Sequence, residues 1–218
     1  MVPQSIHAFW HSEAGLAIPH DVAFNLFAWR ATHPLFHLKV WSLAEVRPIL
    51  TNTPGAEEAV DSCKFIAMQA DIVRLALLVA YGGVWTDLKN LPLQTFLNGL
   101  LNKSEATFAE HFPSKEFPKG HINNSFIVAP PQHSFLIACL QEAVGLVLRR
   151  QAGSVWSITG AGMIMRMMQC HEGWRILPCL EVWGPRGGPG VWMTCRRASY
   201  RTSGEHWSER EKTESPYL

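Results

Sequence analysis

The hydrophobic pattern changes twice between residues 70 and 93, and this divides the stretch into three pieces. Apolar residues recur at i, i+3, i+4 and i+7 from residue 72 to 79, which predicts a helix over 71–80. Gly82 and Gly83 predict a turn after it, because glycine ends helices at little steric cost. The short β-type run 84–87 then places a carboxylate, Asp87, at the far end of a strand. Ligands of α/β proteins collect at the carboxyl ends of strands, so Asp87 is the first functional candidate.

Helix-like and strand-like segments alternate along the rest of the chain. Apolar patterning predicts strands at 5–10, 36–43, 106–109, 123–129 and 174–177. Helical spacing predicts helices at 21–32 with Asp21 as N-cap, and at 44–50, 57–69, 95–101, 135–150 and 161–170. The alternation favours an α/β fold, a mostly parallel sheet flanked by helices, in a single domain. We expect residues 1–183 to form that domain and the stretch 184–218, which begins with a glycine-rich run, to be an irregular loop and tail.

The composition fits a soluble domain with a sizeable core. The chain has 218 residues, of which 47% are hydrophobic and 17% charged, and its net charge is +1. It has no basic block, so we expect no nucleic-acid partner. Five scattered cysteines without a CxxC pair argue against a disulfide framework and against a zinc site. Neither a secretion-signal pattern nor an apolar run of roughly 20 residues is found. We therefore expect a cytoplasmic protein without a transmembrane segment, and peripheral membrane association stays open.

Two charged pairs stand where chemistry could occur. Asp71 and Arg74, at i and i+3, share one face of the predicted helix. They form either an ordinary ion pair or a pair that binds a ligand. Asp87 and Lys89, at i and i+2, point to the same side of a strand. This second pair marks either a solvated strand end or a polar site at the rim of the sheet.

Aromatic and polar residues elsewhere also have two interpretations each. Trp10, Trp41 and Trp85 fall at strand positions, where an aromatic ring either fills the core or stacks on a planar base or sugar. Asn124 lies where a strand opens, and turn chemistry is its simpler explanation. His206 lies in the tail, where a solvated side chain is the simpler explanation. The order of these residues along the chain is more informative than any one of them.

That order resembles the sugar-nucleotide-dependent glycosyltransferases that contain a DXD motif. The family includes the Och1-like mannosyltransferases and bacterial capsular-polysaccharide synthesis proteins, and more distantly the glucosyltransferase domain of the large clostridial toxins. The most specific part is ADIVRLALLVAYGGVWTD at 70–87, which is similar nearly position for position to (A/S)D-x-x-R-x-x-x-L-x-x-x-GG-(I/V)-(Y/W)-x-D. Weaker similarity lies in IHAFWHS at 6–12, WR at 29–30, HP at 33–34, LKVW at 38–41, INNS at 122–125 and TG at 159–160.

The resemblance implies a GT-A fold, a Rossmann-like sheet that binds a nucleotide sugar. It implies that Trp10 stacks on the nucleobase of the donor. It also implies that Asp71 and Arg74 hydrogen-bond the sugar hydroxyls and the ribose, and that Asn124 contacts the donor sugar. The partners of the protein would then be a nucleotide-sugar donor and a glycan or other hydroxyl acceptor.

The resemblance also implies a metal site, from which this sequence departs. Asp87 would be the first acid of the DXD motif, near the ribose and a divalent Mn²⁺ or Mg²⁺ ion, and His206 would complete the metal site. Lys89 replaces the second acid, and a protonated lysine cannot ligate a hard cation. Three alternatives stay open: Asp87 holds a metal with other ligands, Lys89 itself neutralises the diphosphate, or the site is degenerate. The catalytic candidates are Asp87, Arg74 and Lys89.

The expected activity is transfer of a hexose from a UDP- or GDP-sugar to a hydroxyl acceptor, with retention of configuration. The protein would contribute positioning and electrostatic stabilisation of the departing diphosphate. One alternative is a catalytically decayed module that binds a nucleotide sugar or a glycan. Another is an unrelated α/β enzyme in which the YGG turn is a coincidence.

Overall fold

A computed structural model describes residues 1–12, 15–113, 115, 120–185, 190–195, 199 and 207–218. Within these ranges the strands are β1 (Ser5–Phe9), β2 (His37–Trp41), β3 (Gly83–Thr86), β4 (Asn90–Pro92), β5 (Ala106–His111), β6 (His121–Ala129), β7 (Trp174–Leu177) and β8 (Met193–Cys195). The α-helices are α1 (His20–Thr32), α2 (Leu43–Leu50), α3 (Ala56–Ser62), α4 (Ile66–Tyr81), α5 (Ser134–Leu148), α6 (Val155–Ile158), α7 (Ala161–Met168), α8 (Cys179–Val182) and α9 (Trp207–Arg210). A 3₁₀ helix spans Leu97–Leu100.

Six strands form one sheet in the order β2-β1-β3-β6-β5-β7. All of them run in one direction except β6, which pairs antiparallel with both β3 and β5. Strands β4 and β8 form a separate antiparallel pair. The predicted α/β fold with a mostly parallel sheet is therefore confirmed. Because β1 and β3 are adjacent and parallel, the residues that follow them, Trp10 and Asp87, leave the same edge of the sheet.

The alternation of side chains along β1 and β3 separates two hydrophobic layers. Ile6 and Val84 belong to the layer that contains α1, whereas Phe9 and Trp85 belong to the layer that contains α2–α5 and α7. Asp87 follows Trp85 at i+2, so it leaves its strand on the side of α4.

The helix α4 lies at the centre of the second layer. It packs against β1, β3 and the helices α2, α3 and α5, and most of its residues are buried. Its only charged residues are Asp71 and Arg74, and both are among the buried ones. In the ranges that the structure describes, none of the helices combines the length and the apolar character needed to cross a bilayer.

The passage from α4 into β3 requires two glycines, as the sequence predicts. Gly82 and Gly83 have φ angles of 63° and 92°. The ψ angle of Gly82 is −155°, in a region of backbone space that essentially only glycine occupies. A Cβ atom on Gly82 would lie 2.5 Å from the backbone nitrogen of Pro131, and one on Gly83 would lie 2.6 Å from the carbonyl oxygen of Ser5. Glycine is therefore required at both positions, by the backbone angles and by the lack of room for a Cβ atom.

The predicted helix at 57–69 is wrong, because two helices, α3 and α4, form there. Cys63 is extended between them and forms a β-bridge with Tyr217. The backbone N–H of Lys64 donates to the carbonyl oxygen of Pro216, which extends this pairing. The pairing partner lies at the far end of the sequence, so local helical spacing could not predict the break between α3 and α4.

Several smaller predictions are also wrong. The N-cap of α1 is Pro19, and Asp21 lies in the first turn, where its carboxylate accepts two hydrogen bonds from Ser199. The stretch 184–218 is not irregular throughout, because it contains β8 and α9. The predicted helix at 95–101 is a shorter 3₁₀ helix. Strand β4 was not predicted, because Pro92 argues against a central strand but is compatible with a strand end.

The glycine turn gives a stability prediction. Gly82→Ala should lower the free energy of unfolding by about 2 kcal/mol or more, since a side chain there meets both a glycine-only conformation and the backbone of Pro131. Gly99→Ala is the matched control, because nothing lies within 4 Å of its Cβ position. That variant should stay within about 0.5 kcal/mol of the wild type. Urea unfolding monitored by circular dichroism measures both, and equal midpoints for the two variants would refute this account of the turn.

Candidate active site

Asp71 and Arg74 form a buried ion pair. Each residue is 5% exposed, and Nη2 of Arg74 lies 3.1 Å from Oδ1 of Asp71. A surface ion pair at i and i+3 is therefore excluded. Removing two charges from water is costly unless further hydrogen bonds satisfy them, so the pair needs partners from neighbouring elements.

The guanidinium of Arg74 connects α4 to two strands. Its Nη1 donates to the carbonyl oxygen of Asn124 on β6 at 2.7 Å, and its Nη2 lies 3.4 Å from Oδ1 of Asp87 beyond β3. Its central carbon lies 5.2 Å from the centre of the Trp85 ring, within the range of cation–π attraction. The Nε atom is buried without a hydrogen-bond partner among the described residues.

Asp87 is surrounded by donors. Its Oδ1 accepts a hydrogen bond from Nε1 of Trp85 at 2.9 Å, and its Oδ2 lies 3.3 Å from Nζ of Lys89. Its backbone N–H donates to the carbonyl oxygen of Ser125 at 2.8 Å. Burial raises the pKa of Asp87, but the charges of Arg74 and Lys89 outweigh burial and hold the pKa below its usual range. Asp87 is therefore ionised at neutral pH.

The pKa of Asp71 is displaced in the opposite direction from that of Asp87. Its Oδ1 accepts from Nδ2 of Asn124 at 3.1 Å, and its Oδ2 accepts from Oγ1 of Thr159 at 2.9 Å. Burial raises the pKa of Asp71, and Arg74 with the two hydrogen bonds offsets this rise only in part. The charge of Asp87 adds to the rise. Two carboxylates on one arginine thus have pKa values displaced in opposite directions, a pattern that is enriched at functional sites.

The turn 87–90, which carries Asp87 and Lys89, is fixed from the layer of α1. Nδ2 of Asn25 donates to the carbonyl oxygen of Leu88 at 2.8 Å. Nε1 of Trp29 donates to the carbonyl oxygen of Asn90 at 3.0 Å. These bonds hold the backbone of the turn, so the two charged side chains are positioned independently of their contact with each other.

An irregularity in β6 accounts for the position of Asn124. The register between β5 and β6 shifts between Phe108 and Ala109. The stretch 124–126 of β6 falls within this shift. Bulges of this kind are common beside active sites, because they redirect side chains. Here both the side chain and the carbonyl group of Asn124 contact residues of α4.

Two cavities lie elsewhere in the molecule. One, of about 420 Å³, is formed by residues 168–174, and another, of about 350 Å³, lies between α2, α4 and α5. Neither includes Asp87. The candidate site is therefore identified by its network of polar contacts and not by the shape of a cavity.

One known family has a model that matches part of this chain. Residues 6–107 match the family model described as a glycosyltransferase sugar-binding region containing a DXD motif. Over these residues the chain is similar to that glycosyltransferase family. The matched range includes Asp87-Leu88-Lys89, where the sequence resemblance implies the DXD motif.

A solved structure has a similar fold. The chain is similar to PaToxG Glycosyltransferase, with a TM-score of 0.63 and 13% sequence identity, over 78% of this chain and 69% of that chain. At such low identity the likeness concerns the fold alone. No protein of curated function matches the sequence at a significant level.

The structure brings most of the predicted site residues together. Asp71, Arg74, Asp87 and Asn124 are linked by direct contacts, and Lys89 joins them through Asp87. Their roles toward a donor stay predictions.

Trp10 and His206 are two predicted site residues that the contacts above do not include. Trp10 lies just beyond β1 and is partly buried, and its Nε1 donates to the carbonyl oxygen of Leu16 at 3.0 Å, which orients the ring. Stacking of Trp10 on a nucleobase stays a prediction. His206 lies outside the described residues, so its predicted part in a metal site also stays a prediction. Trp41 is a core residue, 8% exposed, that stacks on Tyr81.

The sequence did not predict the contacts by which four residues hold the site. The indole N–H of Trp85 donates to Asp87, and the i, i+2 spacing of the two residues in the predicted strand 84–87 was a signal for this contact. Thr159, Asn25 and Trp29 contact residues that are 88, 63 and 61 positions away. No local pattern reports contacts over such distances.

The donor set of the described residues does not fit a divalent metal ion. Both carboxylate oxygens of Asp87 already face N–H donors, and one of these is the ammonium group of Lys89, whose charge repels a cation. Across the described part of the chain, no group of three or more His, Cys, Asp or Glu side chains is placed to hold a metal. Asp87 is instead paired with the ammonium group of Lys89 in a salt bridge.

The buried guanidinium gives a second stability prediction. Arg74→Met should lower the free energy of unfolding by about 3–5 kcal/mol, because it leaves two carboxylates near each other without their shared cation. Arg47→Met is the control, since Arg47 pairs with Asp61 and Glu57 at the surface and its loss should cost under about 1 kcal/mol. Urea unfolding at neutral pH compares them. Similar losses in both variants would contradict a central role for Arg74.

Proposed function

We propose that the protein transfers a hexose from a UDP- or GDP-sugar to a hydroxyl group of a glycan or another acceptor, with retention of configuration. The observation that carries this proposal is the buried network of Asp71, Arg74 and Asp87 at the carboxyl end of β3. Such a network is a weak source of stability, since apolar residues of similar volume stabilise a core at least as well. Its place at the strand edge is where α/β folds bind ligands.

The chemistry of the network suits a sugar. Asp71 offers carboxylate oxygens to sugar hydroxyl groups, and Asn124 offers an amide group beside it. Charge-assisted hydrogen bonds of this kind are stronger than neutral ones, so a few of them orient a polyhydroxyl ligand. Trp10 would stack on the base at the same edge of the sheet.

In the proposed reaction, the bond between the anomeric carbon and the diphosphate oxygen breaks, and its electron pair leaves with the nucleoside diphosphate. The acceptor hydroxyl attacks the same face of the sugar, and its proton passes to the departing phosphate. Positive charge develops on the sugar and negative charge on the leaving group. Preorganised charges stabilise such a transition state more than the ground state. We assign no carboxylate nucleophile.

Lys89 would stabilise the leaving group. It stands at the place of the acid that holds a metal in the family pattern, and the backbone of its turn is fixed by Asn25 and Trp29. A lysine ammonium has three donors, of which Asp87 engages one. We propose that Lys89 neutralises the diphosphate as a point charge, so that transfer needs no divalent metal.

The transferase assignment predicts that Asp87→Asn loses donor turnover while the fold persists. With the charge gone, kcat/KM for hydrolysis or transfer of the preferred UDP- or GDP-hexose should fall at least about a hundredfold. Asp61→Asn, which changes an exposed carboxylate paired with Arg47, is the control and should keep wild-type turnover. Coupled detection of released nucleoside diphosphate measures both. Wild-type turnover in Asp87→Asn would reject the assignment.

The metal question has a separate test. Wild-type turnover should survive EDTA, and Lys89→Ala should lose about a hundredfold in kcat. Lys89→Asp recreates the second acid of the motif, so its residual activity should become dependent on added Mn²⁺. Full dependence of the wild type on Mn²⁺, with Lys89→Ala unimpaired, would overturn the role of the lysine.

A second candidate function is a module that binds a nucleotide sugar without turning it over. The contact between Lys89 and Asp87 favours it, because a salt bridge partly satisfies both groups without a substrate. Calorimetry distinguishes the two functions. Binding of a UDP- or GDP-sugar without release of nucleoside diphosphate, with or without Mn²⁺ and across a panel of acceptors, would support the binding module.

A further inference from the structure

Thr159 is a buried residue that connects a remote element to the candidate site. It is the C-cap of α6 and is 0% exposed. Its Oγ1 lies 2.9 Å from Oδ2 of Asp71 and 3.4 Å from the carbonyl oxygen of Val155. The shorter distance indicates that the hydroxyl group donates to the carboxylate. The backbone N–H of Thr159 bonds separately to Val155, so the side chain is not needed to cap the helix.

The two carboxylate oxygens of Asp71 accept different numbers of contacts from donor groups. Its Oδ1 receives both Arg74 and Asn124, whereas the hydrogen bond from Thr159 is the one that reaches Oδ2 in the described part of the chain. The charged groups that face Asp71 are Arg74 on its own helix and Asp87 beyond β3. The titratable thiol of Cys63 also lies within electrostatic range. Loss of the Thr159 hydroxyl group would therefore free one oxygen and favour the protonated acid.

The element that carries Thr159 depends on the C-terminal segment 207–218. Helix α6 has four residues, too few to be stable alone. The N–H of Val155 at its start donates to Oε2 of Glu211 at 2.9 Å. The hydroxyl group of Tyr217 donates to the carbonyl oxygen of Gln151 at 2.7 Å, just before α6. The segment therefore holds the turn and the helix that present Thr159.

The same segment also holds the beginning of α4. Nζ of Lys64 lies 3.0 Å from a carboxylate oxygen of Glu214, and the backbone N–H of Lys64 donates to Pro216. The guanidinium of Arg210 lies 5.3 Å from the ring of Phe65, the N-cap of α4. The C-terminal segment thus contacts both the helix that carries Asp71 and the helix that leads to its partner Thr159.

We propose that Thr159 is a positioning residue that fixes the orientation and ionised state of Asp71, and that the C-terminal segment 207–218 keeps Thr159 in place through Glu211. The catalytic consequence rests on the proposed function, in which Asp71 orients the donor sugar. The structural consequence is independent of the proposed function. It concerns the environment of one carboxylate, which can be observed without substrate.

Thr159→Val and Thr159→Ser form the test, because valine keeps the shape of threonine and serine keeps its hydroxyl group. The chain contains four aspartates, Asp21, Asp61, Asp71 and Asp87, so selective ¹³C labelling gives few carboxyl signals. In a pH titration followed by NMR, the pKa of Asp71 should be higher in the valine variant than in the wild type. It should return toward the wild-type value in the serine variant. An Asp71 titration that is the same in all three proteins would overturn the proposal.

The kinetic test uses the preferred UDP- or GDP-hexose as donor. Thr159→Val should lower kcat/KM by roughly ten- to a hundredfold, the effect of one hydrogen bond to a charged group, and serine should restore most of it. In an Asp71→Asn background, Thr159→Val should cause no further loss, because Thr159 acts through Asp71. An equal loss in both backgrounds would show a different role and contradict the proposal.

Glu211→Ala tests whether the C-terminal segment keeps Thr159 in place. It should shift the Asp71 titration in the same direction as Thr159→Val, by a smaller amount, and add nothing when combined with it. An unchanged titration in Glu211→Ala would reject the role of the segment. If the wild type turns over no nucleotide sugar, the proposed function fails, but the NMR titrations still decide whether Thr159 positions Asp71.

Discussion

The shared contact of one buried guanidinium with two carboxylates is the interaction on which the candidate site depends. Arg74 reaches from α4 to Asp87 after β3 and to Asn124 on β6, so three elements meet at a single side chain. A lysine could not replace it, because the planar fork of arginine directs several donors at once. Since an unpaired buried charge is costly, loss of any one partner affects the others. The members of the network therefore depend on one another energetically.

The central sheet explains why these groups meet at one edge. The alternation along β3 sends Trp85 and Asp87 to the side of α4, and Trp85 then supports Asp87 with its indole N–H. From the opposite layer, Asn25 and Trp29 of α1 hold the backbone of the turn that follows β3. Both layers of the fold thus act on the turn 87–90. A site built in this way keeps its geometry without a bound ligand, which lowers the entropic cost of binding.

The sequence predicted the parts of this arrangement that local pattern controls. Helix α4, the glycine turn and β3 follow from residues close to one another, and the spacing of Asp71, Arg74 and Asp87 resembled a known motif. Contacts between distant segments were not predictable. The break before α4 arises from pairing with Tyr217, and Asp71 receives Thr159 across 88 positions. The irregular register of β6, which places Asn124, likewise depends on how β5 pairs with it.

The replacement of an acid by Lys89 changes the electrostatics of the site more than it changes the shape. A carboxylate at this position would add a negative charge beside Asp87 and would require a cation from solution to bind a diphosphate. The ammonium group supplies a positive charge that belongs to the chain, and it helps to keep the pKa of Asp87 low. Under the proposed function, donor binding would then no longer depend on the concentration of a metal. It would instead weaken with ionic strength, because the partly exposed ammonium of Lys89 attracts the diphosphate through a screened interaction.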